Sequence, residues 1–95
     1  MKLILTDGKT VEVSRVNESM NGGTHQLHID LSSDNSIDEL NEAFDGNSET
    51  LTLKKESDNK ETTFVGYTNI LSIARDITEY SDTLRITLST NTETK

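Results

Sequence analysis

SIDELNEAFDG, residues 36–46, decides the fold, because it reads as a helix while strand-like runs lie on both sides of it. Ser36 and Glu39 match the S-x-x-E capping box, in which each side chain covers the other residue's free backbone N–H. Ile37, Leu40 and Phe44, spaced i, i+3, i+7, make an apolar face that needs a core to lie on. Asp38, Glu42 and Asp45 line the opposite face. Gly46 stands where the chain must turn left-handed to leave the helix. One such helix set among strands implies a small β-rich domain with an acidic helix on it.

Downstream, residues 50–57 alternate with Leu51 and Leu53 inward, and Asp58-Asn59 turns the chain. Residues 62–68 return through Phe64, Val65 and Tyr67, and Gly66 within them marks a bulge or a close backbone approach. Residues 69–80 fit two periods, Ile70, Ala74 and Ile77 for a helix and Leu71, Ile73 and Ile77 for a strand. Their β-branched content and the strand that follows decide for β. After a turn at Ser81-Asp82, residues 83–89 place Leu84, Ile86 and Leu88 inward and Arg85 and Thr87 outward.

Upstream, residues 25–32 form a strand that buries Leu27, Ile29 and Leu31. NESMNGGT, residues 17–24, reads as a polar loop. Residues 10–16 read as a strand with Val11 and Val13 inward, joined through the Asp7-Gly8 hairpin to a first strand over residues 1–6. The order β-β-β-α-β-β-β-β predicts a single mainly β (α+β) domain over residues 1–90. Short connections make about seven antiparallel strands, as a curled sheet or open sandwich. The helix falls between the third and fourth strands, where it plugs one end or lies on one face. Residues 91–95 read as a polar tail.

Hydrophobic content is 31%, a value near that of disordered chains, but the apolar residues alternate instead of scattering. The absence of cysteine excludes a disulfide framework, a thiolate metal site and a cysteine nucleophile. No apolar run approaches the ~20 residues of a membrane span. The apolar part of MKLILTDGK is too short for a signal peptide, so the chain is expected in the cytoplasm of its host cell at synthesis. No proline guards the strand edges, which leaves them open to homo-oligomer formation, with Lys54, Lys55 and Lys60 as substitute guards.

Net charge is −8, and its distribution is uneven. Residues 16–53 hold eight acids and no lysine or arginine, while the rest of the chain balances nine acids with nine bases. The candidate binding surface is therefore an acidic patch of Asp30, Asp34, Asp38, Glu39, Glu42, Asp45 and Glu49. Such a field repels nucleic-acid phosphates and attracts a protein partner with a basic surface. Asp45 stands at a helix C-terminus, where the dipole disfavours an anion by roughly 0.3–1 kcal/mol, so the acidity opposes local preference.

Other chemistry leaves little trace. His25 and His28 are three apart, which on a strand puts them on opposite faces and unable to share a metal ion. The acids lack the spacing and glycine of an EF-hand loop. Serines lack the G-x-S-x-G elbow, and Gly22-Gly23 lacks the lysine of a phosphate loop. With four aromatic residues there is little to build a cleft that would raise a carboxyl pKa. The expectation is a protein that is not an enzyme and uses no cofactor and no metal.

The helix motif Ile37-Asp38-Glu39-Leu40 with Phe44 is followed by Leu51-Thr52-Leu53, Phe64 with Gly66-Tyr67-Thr68, the Ile73 and Ile77 run, and Leu84-Arg85-Ile86-Thr87-Leu88. The opening Leu5-Thr6-Asp7-Gly8 precedes Val11 and Val13. In this order the motifs resemble small β-rich tail or baseplate-module proteins of phages and prophages of Gram-positive bacteria. The resemblance implies a non-enzymatic structural or adaptor protein that contacts other virion proteins and has a place in the virion. The competing reading is an acidic anti-defence inhibitor that mimics nucleic acid and blocks a basic groove of a host protein, since carboxylates at ~6 Å steps on a helix imitate phosphates.

Overall fold

In the computed structural model, which describes residues 1–32 and 34–90, the alternating runs become strands and the capping box starts the helix. The strands among the described residues are β1 (Lys2–Ile4), β2 (Thr10–Glu12), β3 (Arg15–Asn21), β4 (Thr24–Ser32), β5 (Thr50–Lys55), β6 (Lys60–Val65), β7 (Asn69–Ile77) and β8 (Asp82–Ser89). Helix α1 (Ile37–Phe44) separates β4 from β5. The tail expected at residues 91–95 lies outside the described residues.

The strands form two four-stranded antiparallel sheets, sheet I in the order β2-β1-β5-β6 and sheet II in the order β3-β4-β8-β7. Period-two alternation explains the pairing, because the register sets apolar residue against apolar residue. Leu3 lies opposite both Val11 and Leu53 in sheet I. Val16, Ile29, Ile86 and Ile73 make one row across all four strands of sheet II. A slip of one residue would turn a whole row to solvent, so burial fixes the register. The inward faces share one core, in which Leu3, Ile29, Phe44, Leu51, Ile86 and Leu88 are fully enclosed.

The described residues form eight strands rather than about seven, and the helix follows the fourth rather than the third. Residues 10–16 are not one strand, because the chain changes sheets within them. The Val13 N–H donates to the Met1 carbonyl in sheet I at 2.9 Å, and the Ser14 N–H donates to the Asp30 carbonyl in sheet II at 2.8 Å. Residues 17–24 are not a loop either. β3 runs to Asn21, and Gly22 and Gly23, with φ of +63° and +88°, form a two-residue hairpin turn into β4. The β3 pattern escapes notice because its core-side positions after Val16 are Glu18 and Met20; Glu18 lies opposite Leu27 and accepts the Tyr67 hydroxyl at 2.6 Å.

Gly66, at φ +91°, ends β6 where the chain crosses from sheet I to sheet II, and its N–H donates to the Glu49 carbonyl. The irregularity in the next strand falls instead between Ile70 and Ser72. Residues 69–77 are strand, as their β-branched content predicts, and a turn built on the Thr78 hydroxyl follows.

α1 forms because its ends are satisfied. Ser36 Oγ accepts the Glu39 N–H at 3.1 Å, and Glu39 Oε1 accepts the Ser36 N–H at 3.3 Å. Leu40 and Phe44 point into the core, each worth roughly 1.5–3 kcal/mol when fully buried, while Ile37 stays largely exposed. Arg75 Nη2 of β7 donates to the Asn35 carbonyl, tying the helix start to sheet II. Asn47 donates to the Ala43 carbonyl and accepts the Asp7 N–H at 2.8 Å, tying the helix end to the β1–β2 turn of sheet I. The helix thus bridges the two sheets. Among the described residues no helix is long and apolar enough to cross a membrane.

Candidate functional site

Burial of Leu40 and Phe44 dictates what α1 shows to solvent. Asp38 and Glu39 occupy its first turn, Glu42 its middle and Asp45 its C-cap, and all four are exposed. Glu39 is occupied with the capping box, so the open stripe is Asp38, Glu42 and Asp45. None of the ion pairs among the described residues uses these three carboxylates. The last turn holds no basic residue, and Asp45 closes it before Gly46 turns away at φ +66°. Asp34, exposed before the helix, and Glu49, exposed after it, extend the acidic surface from either end. Arg75, the cation beside the helix start, is paired to Asp82 at 3.2 Å.

Asp30 does not belong with them. It lies on the outward face of sheet II, whereas the helix joins the inward, core-facing side. Alternation builds that outward face in rows, Arg15, Asp30, Arg85 and Ala74 in one and Asn17, His28, Thr87 and Ser72 in the next. Arg85 grips both carboxylate oxygens of Asp30, Nε at 2.7 Å and Nη2 at 3.2 Å, a two-pronged geometry that also raises the guanidinium pKa. Arg15, Asn17, His28, Asp30 and Arg85 surround an open depression of about 140 Å³. The two histidines fall on opposite faces as their spacing requires. His25 lies opposite Met20 in the core-facing alternation, and His28 Nδ1 is 3.3 Å from Thr87 Oγ1 on the outward face.

Glu18, a further acid of the cation-free stretch, is drawn to Tyr67. Burial first, and then the Glu18 carboxylate, push the phenol pKa well above its ordinary value. Of the acids counted in the sequence, the helix therefore gathers Asp38, Glu39, Glu42 and Asp45, flanked by Asp34 and Glu49, while Asp30 stands apart. The guanidinium-lined face was not singled out by sequence reasoning. Its signal is the period-two pairing of polar residues at 15 and 17, 28 and 30, and 85 and 87. Comparison with protein-family models, with curated proteins and with solved structures finds no match.

Proposed function

We propose that this chain is a non-enzymatic structural or adaptor protein, of the tail or assembly module of a phage or prophage, that works by docking its acidic helix against a basic protein surface. The observation that carries the docking is the stripe of Asp38, Glu42 and Asp45, exposed and outside every ion pair of the described residues. The phage assignment rests on the motif resemblance alone. An open carboxylate stripe costs mutual repulsion and an unfavourable dipole contact of roughly 0.3–1 kcal/mol at Asp45, and a basic partner offsets both. The geometry favours a compact docking contact over nucleic-acid mimicry. At ~1.5 Å per residue, Asp38 and Asp45 are about 10 Å apart along the axis, room for two or three phosphate equivalents. A groove that binds duplex neutralises roughly 6–10 phosphates.

The test is recovery of partners on the tagged chain from lysate of phage-infected or prophage-induced cells, at low and high salt, followed by their identification. Virion or assembly proteins lost on the combined change Asp38→Asn, Glu42→Gln and Asp45→Asn support the reading. A nucleic-acid-binding host protein, released steeply by salt, would replace it with the inhibitor reading.

A further inference from the structure

We propose that the outward face of sheet II seats a single carboxylate, gripped by the Arg15 guanidinium with Asn17 and His28 beside it. The site is separate from the acidic helix and does not depend on it. Its placement follows from register, since Arg15 lies opposite Asp30 and Asn17 opposite His28, so strand pairing brings the four onto one face. The depression they share with Arg85 measures about 140 Å³. That is the liquid volume of roughly four or five waters, enough for one oxyanion group and well short of the ~300 Å³ that encloses a larger ligand.

Charge selects the ligand. Arg85 is committed to Asp30 through two hydrogen bonds, whereas Arg15 makes no ion pair or side-chain hydrogen bond among the described residues. Among the residues that line the depression, two arginines against Asp30 leave one positive charge, which one carboxylate cancels, while Asp76 lies on the far side of Arg85. A phosphate monoester, at about −1.5 to −2, would place surplus negative charge beside Asp30 and within the field of a chain of net charge −8. The planar fork of Arg15 matches the two oxygens of a carboxylate, and lysine in its place would offer a point charge alone. The Asn17 amide supplies a further donor, as does His28 Nε2 in the tautomer whose Nδ1 accepts the Thr87 hydroxyl. The carrier is either a free small carboxylic acid or a carboxylate on a protein chain.

The test is an NMR titration of the isotope-labelled whole chain with sodium acetate against sodium chloride at matched ionic strength, and with a blocked peptide bearing one aspartate. Saturable shifts are expected at the Arg15 side chain, the Asn17 amide and the His28 ring with both carboxylates and not with chloride. Tighter binding of the peptide marks a protein carboxylate as the carrier, and equal binding marks a free acid. Arg15→Gln, an exposed change that leaves the core alone, should weaken binding about tenfold, and Arg15→Lys by an intermediate factor. Shifts that never saturate or that chloride reproduces overturn the seat. So do full binding in either Arg15 variant and a preference for inorganic phosphate over acetate.

Discussion

On α1 the carboxylates of Asp38, Glu42 and Asp45 reach solvent without a cation of the described residues paired to them. On sheet II the Asp30 side chain is 19% exposed and clasped by Arg85, with Arg15 opposite in the register. Both regions draw on the same cation-free run of sequence, yet one is an open anionic surface and in the other two arginines flank the carboxylate. The difference comes from strand pairing. A helix brings together only residues close in sequence, so an acidic run stays acidic, whereas a sheet sets Asp30 beside arginines from strands 15 and 55 residues away.

The largest effect that would break the contrast is removal of the helix from its bed. Phe44→Ala is expected to destabilise by roughly 3–5 kcal/mol, because it empties the fully buried anchor beneath α1. A shift of only a degree or two in thermal unfolding would show that the acidic stripe is not held by this packing.

Next comes Tyr67, which joins the core to Glu18. Tyr67→Phe removes a 2.6 Å hydrogen bond to a carboxylate and should cost roughly 1–2 kcal/mol in denaturant unfolding. The change also sharpens pH dependence. Because the folded phenol holds its proton above its ordinary pKa of 10.0, its contribution is fully present below that pH. It is lost as pH climbs beyond it toward the higher folded-state pKa. The parent should therefore lose its advantage over Tyr67→Phe above pH 10, and parallel curves there would contradict the assignment.

The helix side of this contrast was legible in the sequence, and the sheet side was not. The capping box, the Phe44 spacing and the alternation of residues 83–89 each carry a local signature strong enough to survive folding unchanged. The break between Val13 and Ser14 left no such mark, because a strand that bends from one sheet to another keeps its local alternation. β3 was hidden for the opposite reason, since Glu18 and Met20 occupy its core-side positions. Asp30 misled because its cation comes from Arg85, and pairing at that distance cannot be read from neighbours along the chain.

Smaller still is the effect of unpairing Asp30. Asp30→Asn should cost on the order of 1 kcal/mol, the pair with Arg85 being half open to solvent, and should lose most of that cost in high salt. Smallest is the combined change Asp38→Asn, Glu42→Gln and Asp45→Asn, which should hold stability level or raise it by roughly 0.5 kcal/mol through relief of repulsion. A clear loss would mean that these carboxylates make stabilising contacts.

Under the proposed docking, the helix stripe is the charge that meets the partner and Asp30 is not part of it. The most direct measurement is the association rate with the recovered partner across ionic strength, for the parent, the triple variant and Asp30→Asn. Docking through the stripe should give a slower rate and a flatter salt dependence for the triple variant, with Asp30→Asn indistinguishable from the parent. A triple variant that associates as the parent does, or an Asp30→Asn rate that falls with it, would contradict docking through the helix stripe alone.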